Sequence, residues 1–426
     1  MTIVLVLAVP VLLAVLAGLH WYVWRRLVRD TTAPGTRGRR LGTAAFLVGP
    51  AFMLTAFIGS WAGLPFTLVR ILSWPAYLWV ALALYLLLGL LVGEALRPAL
   101  NWFLRRRAGR RVTAAHPEAA APPPERNTGA EPSAALPAGS NDSLTPDSAP
   151  TELSRRRFTA QLIGTATAVA AAGTVGYGTY GVLRGPHVKR VTVPLAKLPR
   201  SAHGFRIAVV SDVHLGPILG RSFSERVVAT VNATQPDLIA VVGDLVDGSV
   251  SELRSAVEPL SKLRARHGSF FVTGNHEYIS GAEQWTEHVQ DLGLRLLANQ
   301  RVELAPFDLA GVNDVTGENH DDGPDLGAAL ADRDPERTSV LLAHQPVFID
   351  EAVRHGVDLQ LSGHTHGGQL WPMNYVAELA NPTVAGLERY GYTQLYVSRG
   401  AGAWGPPTRV GAPSDVTVVE LASRLT

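Results

Sequence analysis

In the C-terminal part of this 426-residue chain, polar and ionisable clusters directly follow short apolar runs. The run at 238–242 is apolar and mostly β-branched, and Gly243 and Asp244 come immediately after it. Such a run predicts a short buried strand that ends in a turn. Because α/β sheets bind ligands at the carboxyl ends of their strands, a carboxylate here marks a candidate site. Alone, Gly-Asp-x-x-Asp is equally compatible with a turn whose Asp caps a helix.

The same alternation recurs throughout residues 188–426. Apolar runs separated by amphipathic or polar stretches of helical length predict an α/β domain. The predicted strands lie at 191–193, 206–210, 238–242, 270–272, 340–343, 359–361, 395–397 and 416–421.

Five clusters of metal-binding residue types follow these predicted strands. They are Ser211-Asp212-Val213-His214, Gly243-Asp244-Leu245-Val246-Asp247, Gly274-Asn275-His276-Glu277, Ala343-His344-Gln345 and Gly363-His364-Thr365-His366-Gly367-Gly368. Because equivalent ends of neighbouring strands lie side by side, the clusters can converge on one pocket. The glycines around the His-x-His pair permit backbone angles that turn both imidazoles inward.

The ligand types limit which cofactors are possible. The clusters offer carboxylate, amide and imidazole groups, and the chain has no Cys for thiolate ligation, nucleophilic catalysis or disulfides. This donor set suits Mn, Fe, Zn, Ni or similar divalent ions. About seven ligands exceed what one ion needs, whereas two divalent ions that share a carboxylate would use them all.

The motifs in these clusters, and their order, resemble those of the calcineurin-like metallophosphoesterase family. They are D-x-H, G-D-x-x-D, G-N-H-E, H and G-H-x-H. The sequence segments at 363–369 and 398–400 are similar to those of the bacterial membrane-anchored, phosphodiesterase-like branch of this family. The resemblance covers about residues 200–400 and implies a four-layer α/β/β/α sandwich with a dimetal site. It implies that Asp212, His214 and His366 hold one ion, that Asn275, His344 and His364 hold the other, and that Asp244 bridges them.

The resemblance also implies the chemistry, which is hydrolysis of phosphoester bonds. A water shared by the two ions would be deprotonated near neutral pH and act as the nucleophile. His276 would face the substrate and steady the phosphoryl oxygens or protonate the leaving group. We expect Asp247 to orient the other ring nitrogen of His276, or else to stabilise its own turn.

Two departures from related classes bear on the substrate. Asp247 stands where purple acid phosphatases carry a Tyr ligand, and Gly248-Ser249 stands where serine/threonine protein phosphatases continue with Arg-Gly. We therefore expect a phosphodiester or a pyrophosphate-linked lipid headgroup rather than a phosphoprotein. An apolar lip facing lipid is expected near the site, or else the same residues pack in the domain core. They are Leu370, Trp371, Pro372, Met373, Tyr375, Val376, Trp404, Pro406 and Pro407.

Residues 1–111 predict three transmembrane helices. The apolar stretches 3–24, 41–63 and 71–92 are each long enough to cross a bilayer, and charged residues make up only 17% of the chain. Arg-rich segments follow the first and third stretches, so the positive-inside rule places both in the cytoplasm and the N-terminus outside. A nucleic-acid patch is the alternative for these arginines. The net charge of +2 argues against it, and no nucleic acid is expected as a partner.

Two segments connect these helices to the C-terminal domain. Residues 112–153, rich in Ala, Pro and Ser, predict a disordered cytoplasmic linker. Ser154-Arg155-Arg156-Arg157-Phe158 then precedes a mildly apolar run, which resembles a twin-arginine export signal or an ordinary fourth transmembrane helix. We expect residues 154–187 to remain as an anchor, because no A-x-A cleavage site follows. The domain at 188–426 is then expected on the extracytoplasmic side.

Two rival functions are less consistent with these patterns. A non-catalytic metal-binding sensor, or an accessory domain of a membrane complex, would lack ligands, yet every motif position is filled. A transporter needs ionisable residues within its spans, and the first three offer few, such as His20 and Glu94.

We predict that a fusion after Thr426 shows activity with a reporter that works only outside the cytoplasm, because both Arg-rich segments and Arg155–Arg157 should stay inside. The measurement is the activity of paired cytoplasmic and extracytoplasmic reporters. The matched control fusion after Arg111 should show the opposite preference. Activity of only the cytoplasmic reporter after Thr426 would show that the predicted topology is wrong.

Overall fold

The computed structural model describes residues 2–59, 63–113 and 149–424. The chain divides into two compact units, one comprising Met1–Phe46 with Leu86–Ala171 and the other Leu47–Tyr85 with Ala172–Thr426. Most of the predicted linker, 114–148 of 112–153, lies outside the described residues. So do residues 60–62 near the end of the predicted second span.

Helices account for the described structure up to residue 183. The α-helices among the described residues are α1 (Thr2–Trp24), α2 (Arg37–Gly59), α3 (Phe66–Thr113), α4 (Ala149–Leu183), α5 (Arg221–Ala233), α6 (Val250–Val257), α7 (Asn275–Ser280), α8 (Ala282–Asp291), α9 (Leu326–Ala329), α10 (Ile349–Arg354) and α11 (Met373–Ala377). Two stretches, Phe66–Phe103 in α3 and Arg157–Leu183 in α4, are long and apolar enough to cross a membrane. They coincide with the predicted third span and the predicted anchor, and the number of spans stays a prediction.

In the first unit, α3 and α4 pack closely over two glycines. A methyl group on Gly89 would lie 2.8 Å from Cγ2 of Thr167, and one on Gly93 would lie 2.4 Å from Cγ2 of Ile163. Small residues one turn apart allow this close approach of helix backbones. Nearby, Oε1 of Glu94 lies 3.2 Å from Nε of Arg26 and 3.2 Å from Nη2 of Arg97. Glu94 is therefore held in ion pairs rather than left free for an ion path.

The second unit contains two six-stranded sheets. The strands are β1 (His187–Leu195), β2 (Phe205–Val210), β3 (Leu238–Val242), β4 (Ser269–Val272), β5 (Leu294–Leu296), β6 (Gln300–Glu303), β7 (Asp308–Gly311), β8 (Ser339–Leu342), β9 (Leu359–Ser362), β10 (Gly386–Tyr390), β11 (Thr393–Val397) and β12 (Asp415–Ser423). The sheet orders are β1-β12-β2-β3-β4-β5 and β10-β11-β9-β8-β7-β6.

The central strands of each sheet run parallel, which brings their carboxyl ends to one edge. In the first sheet β2, β3, β4 and β5 are parallel neighbours, and in the second β7, β8, β9 and β11 are. Segments that leave β2, β3 and β4 therefore begin side by side, as do those that leave β8 and β9.

The apolar runs form strands because both of their faces are buried. Leu238, Ala240 and Val242 of β3 pack in the cluster between the two sheets. Ile239 and Val241 point the other way, into a cluster with residues of α5, α6 and α8. A strand covered on both sides requires a continuous apolar sequence, since successive side chains face opposite ways. The predicted two-sheet α/β fold of the C-terminal region is thus confirmed.

Trp285 of α8 provides a test of this packing. Its side chain is fully buried, and its Nε1 donates a hydrogen bond of 2.9 Å to the carbonyl oxygen of Gly248. We expect Trp285→Ala to lower the free energy of unfolding by about 3–5 kcal/mol, because it leaves a large cavity. Urea denaturation followed by circular dichroism measures the change. The control Leu379→Ala, at a side chain that is 87% exposed, should shift it by less than about 0.5 kcal/mol. Equal effects of the two substitutions would contradict the packing described.

Candidate metal centre

The predicted metal ligands converge from the ends of five strands. Asp212 and His214 follow β2, Asp244 follows β3, Asn275 lies just past β4, His344 follows β8, and His364 and His366 follow β9. Three groups have ligand atoms that all lie within 4.8 Å of one another, and together they include every predicted site residue but Asn275. The groups are Asp212, His214 and His366; Asp244, His344 and His364; and His214, Asp247 and His276.

The first group brings ring nitrogens face to face. Nε2 of His214 lies 3.0 Å from Nε2 of His366, which in turn lies 3.3 Å from Oδ1 of Asp212. Two imidazole nitrogens at this distance can share only one proton, and a cation between them would satisfy both lone pairs. Burial, together with the charges of His214 and Arg409, holds the pKa of His366 well below its usual value. This arrangement of donor atoms fits a divalent ion.

The second group contains a buried ring nitrogen that makes no hydrogen bond to a described residue. Nδ1 of His344 donates a hydrogen bond of 2.8 Å to the carbonyl oxygen of Val242, so the lone pair of a neutral ring lies on Nε2. That Nε2 makes no hydrogen bond to any described residue, although it lies 3.2 Å from Oδ2 of Asp244. Nδ1 of His364 lies 2.9 Å from Oδ1 of Asn275, which brings Asn275 to the same group. These donor atoms also fit a divalent ion.

Asp244 lies between the two groups. Its Oδ2 is 3.2 Å from Nε2 of His344 and 3.7 Å from Nε2 of His214, and its side chain is almost fully buried. The backbone N–H of His276 donates a 2.8 Å hydrogen bond to Oδ1. Burial would raise the pKa of this carboxyl, but the neighbouring imidazoles of His344 and His214 outweigh it and lower the pKa. The carboxylate therefore stays ionised and faces both groups.

The third group joins the two predicted catalytic residues. Oδ1 of Asp247 lies 2.7 Å from Nδ1 of His276 and 2.9 Å from Nδ1 of His214. Burial would raise the pKa of Asp247 and lower that of His214. Their mutual attraction and hydrogen bond outweigh burial, lowering the pKa of Asp247 to about 2 and raising that of His214 to about 9. Asp247 can thus orient both rings through their Nδ1 atoms. Its contact with His276 uses Nδ1 of that ring and not Nε2.

The backbone at the site is strained. Five of the converging residues are non-glycine residues with positive φ, a conformation that costs about 1–3 kcal/mol at each position. They are Asp212 (φ 53°), His214 (48°), Asp244 (52°), His364 (71°) and His366 (53°). Such residues cluster at functional sites, where the surrounding structure imposes the conformation.

Sequence reasoning assigned no role to Glu277, which connects two of the converging loops. Its carboxylate accepts hydrogen bonds from the backbone N–H groups of Asp244 (2.9 Å), Leu245 (2.8 Å) and Gly274 (2.6 Å). Burial and the nearby Asp244 raise its pKa to about 7. Glu277 thereby fixes the loop after β3 against the start of α7. Its place in the G-N-H-E motif was a signal, but the motif does not reveal a backbone-binding role.

A buried Arg409 supports His366. Its Nη2 lies 3.1 Å from Nδ1 of His366, and its Nη1 donates a 3.0 Å hydrogen bond to the carbonyl oxygen of the same residue. Its Nε donates to the carbonyl oxygen of Gly402 at 2.6 Å, and burial lowers its pKa to about 10. A lone Arg in a polar loop gave no sequence signal for this contact.

The predicted lip is largely exposed. Trp371, Tyr375 and Trp404 have 50%, 59% and 55% of their surfaces exposed, and Met373 and Val376 are exposed as well. Leu370 and Pro407 are buried, and Pro372 and Pro406 are half-buried. Core packing therefore accounts for only part of this set.

Gly363 tests how tightly the loops fit. A Cβ added there would lie 1.8 Å from Oγ of Ser211 and 2.4 Å from Oδ2 of Asp212. We expect Gly363→Ala to lower the predicted phosphoester hydrolysis by about 10²-fold, because a displacement of about 1 Å at a site can cost that much. The measurement is the hydrolysis rate of a chromogenic phosphodiester. The control Gly220→Ala adds a methyl group where nothing lies within 4 Å and should keep its rate. Full activity of Gly363→Ala would contradict the close fit.

Comparison with known proteins identifies relatives of this chain. Residues 205–368 match the family model of calcineurin-like phosphoesterases. A "transmembrane protein with metallophosphoesterase domain" from Danio rerio is 40% identical over 261 residues, which cover 58% of this chain and 59% of that protein. An uncharacterized metallophosphoesterase from Helicobacter pylori is 36% identical over 271 residues, covering 63% of this chain and 72% of the relative. Another from Bacillus subtilis is 31% identical over 287 residues, covering 64% and 99%.

The family match at residues 205–368 contains every predicted site residue, whereas this chain spans only 59% of the length of the zebrafish relative. The apolar stretches in α3 and α4, together with the transmembrane relatives, indicate association with a membrane. From its motifs, its two-sheet fold and these relatives, the chain belongs to the calcineurin-like metallophosphoesterases.

Proposed function

We propose that this protein is a membrane-anchored hydrolase, dependent on two divalent ions, that cleaves a phosphodiester or a pyrophosphate-linked lipid headgroup. The observation that carries the proposal is the position of the Asp244 carboxylate, which lies 3.2 Å from His344 of its own group and 3.7 Å from His214 of another group of metal-binding side chains. One carboxylate between two such groups is what a pair of ions with a shared ligand requires.

The same contacts support an assignment of the ligands. Asp212, His214 and His366 would hold one ion, Asn275, His344 and His364 the other, and Asp244 both. The Nε2 of His344, which makes no hydrogen bond to a described residue, and the facing Nε2 atoms of His214 and His366 support this assignment. Oxygen and imidazole donors suit Mn, Fe, Zn or similar ions. When bound, the ions would lower the pKa of water and offset the charge of the phosphoryl oxygens.

The residues of the chain then position the reacting groups. Asp247 holds Nδ1 of His276, so Nε2 of that ring is available for a phosphoryl oxygen or for the leaving group. In the reaction, the oxygen of a water molecule bonds to phosphorus and the bond from phosphorus to the leaving oxygen breaks. One proton of the water leaves to a base, and the leaving oxygen takes up one proton. We assign to His276 the contact with the substrate and to Asp247 the orientation of that ring.

The location and substrate class rest on sequence and exposure together. We propose a multi-pass membrane protein whose four-layer catalytic domain lies on the extracytoplasmic side, with the helix that ends at Leu183 as its anchor. The charge distribution around the apolar stretches supports this topology. The exposed aromatic residues Trp371, Tyr375 and Trp404 support a substrate at a lipid surface. The absence of an Arg-Gly extension after Asp247 favours a diester or pyrophosphate over a phosphoprotein.

The contrast between Asp244→Ala and His276→Gln tests the proposal on the full-length protein. Asp244→Ala should lose activity and lower the metal content at both sites, because one carboxylate serves two ions. His276→Gln should keep its metals while kcat falls by about 10²–10⁴-fold, as expected when an acid or base is removed. Elemental analysis and hydrolysis of a chromogenic diester provide the two measurements.

Exposed residues of the same types give matched controls. Asp350→Ala and His187→Gln should leave both metal content and rate unchanged. Two fully bound metals in Asp244→Ala would rule out a bridging role, and metal loss in His276→Gln would make His276 a ligand instead.

A further inference from the structure

A cavity of about 490 Å³ opens from the candidate metal centre toward the helices of the same unit. His214, Asp247 and His276 line it at the metal centre. Ala56 of α2 and Phe66, Val69 and Tyr77 of α3 line it as well. The cavity therefore joins a polar region that carries the catalytic groups to an apolar region built from helices outside the two sheets.

The apolar wall is held in place by contacts along the N-terminal part of α3. Phe66 packs against the buried cluster that covers the first sheet. Farther along, the ring of Tyr77 lies within 3.7 Å of a Cβ position at Gly405, and the hydroxyl of Tyr85 donates a 3.0 Å hydrogen bond to the carbonyl oxygen of Trp371. The wall is thus part of the same packed body as the metal centre.

The chemistry of the wall specifies the kind of molecule that it can hold. Val69 and Ala56 present hydrocarbon, and the hydroxyl of Ser73, also in the lining, is already donated to the carbonyl oxygen of Val69 at 2.7 Å. Beside Val69 and Ala56, a polar group would lose hydrogen bonds to water that the hydroxyls of Ser73 and Tyr77 could replace only in part, whereas hydrocarbon would be stabilised. The volume lies in the range of pockets that enclose small-molecule ligands. A ligand that fills it would need a phosphoryl group at one end and an apolar tail at the other.

The surroundings identify the source of such a tail. Val69 and Tyr77 belong to the stretch Phe66–Phe103, which is apolar enough to lie in a membrane. The exposed side chains of Ile279 and Trp404 line the cavity. Trp371, which is also exposed, accepts the hydrogen bond from Tyr85 at its carbonyl oxygen. A hydrocarbon chain that leaves a bilayer along α3 would meet apolar side chains until its headgroup reaches His276.

We propose that this cavity binds the hydrocarbon chain of a lipid phosphoester, so that α2 and α3 form part of the substrate site in addition to anchoring the protein. The inference rests on the proposed function, because it takes the metal centre to be the place where the headgroup is cleaved. It predicts that residues of α3 with no role in the chemistry determine the preference for lipid over soluble esters.

The test compares two esters with the same leaving group on the full-length protein in lipid nanodiscs. One is bis(4-nitrophenyl) phosphate, and the other is the 4-nitrophenyl ester of dioleoyl phosphatidic acid. Val69→Trp fills the cavity, so the ratio of kcat/KM for the lipid ester to that for the soluble ester should fall about 10–100-fold. The matched control Val92→Trp, at an exposed valine of the same helix, should keep the wild-type ratio.

Photocrosslinking gives a second measurement that does not depend on activity or on bound metal. A phospholipid with a diazirine on its acyl chain should label the peptide that contains residues 66–77, and Val69→Trp should abolish that labelling. An unchanged ratio in Val69→Trp, with labelling only near exposed Leu91 and Val92, would overturn the inference and leave the proposed function intact. If the wild-type protein hydrolyses neither ester, the proposed function fails, and labelling of 66–77 would still support the binding of hydrocarbon in the cavity.

Discussion

The buried carboxylate of Asp244 is the constraint on which the site depends. Burying an ionised carboxylate costs several kcal/mol unless partners surround it. Here the backbone N–H of His276 and the imidazoles of His214 and His344 provide those partners. They come from the segments after β4, β2 and β8, so both sheets must end at the same edge. The parallel order of the central strands meets this requirement, and the electrostatics of the site therefore depend on the topology of the whole domain.

The same convergence explains why the loops tolerate strained backbone. Asp212, Asp244 and His366 have positive φ, which an isolated loop would not favour. Glu277 binds three backbone N–H groups, and Arg409 binds His366 at both its ring and its carbonyl. These two residues fix the conformation that directs the side chains inward. The strain is offset by buried hydrogen bonds of charged groups, which contribute about 1.5–3 kcal/mol each.

Sequence predicted most of the strands that are buried on both faces, together with the edge strand β1, and it left out β5, β6, β10 and the buried strand β7. β3 and β8 are continuous apolar runs, whereas β6 and β10 lie at the edges of the second sheet and carry charged residues such as Glu303 and Arg389. β5 has only three residues, too few for a periodic pattern. An edge strand needs hydrophobic residues on fewer positions, so its composition resembles that of a loop.

Some residues of the site can be predicted from short sequence motifs, whereas others become evident only in the three-dimensional structure. The side chains that converge were predicted because each motif is a few residues long and follows a recognisable strand. Arg409 lies 43 positions from the residue that it supports, and Val69 lies far from His276 in sequence. No local pattern records such contacts. The supporting residues and the apolar wall therefore required the three-dimensional structure.

The ends of α3 and α4 also pack against the two-sheet part of the second unit. A flexible link between Leu183 and the first sheet would let the domain sample many orientations. Instead, β1 begins at His187, only four residues later, and pairs in parallel with β12 along its whole length. Val182 is itself fully buried in the cluster under the first sheet. With Phe66 packed on that cluster too, the chain fixes the metal centre relative to the ends of α3 and α4 in the same unit. A site held in this way loses little further conformational freedom when a ligand binds, which would favour the amphipathic substrate proposed above.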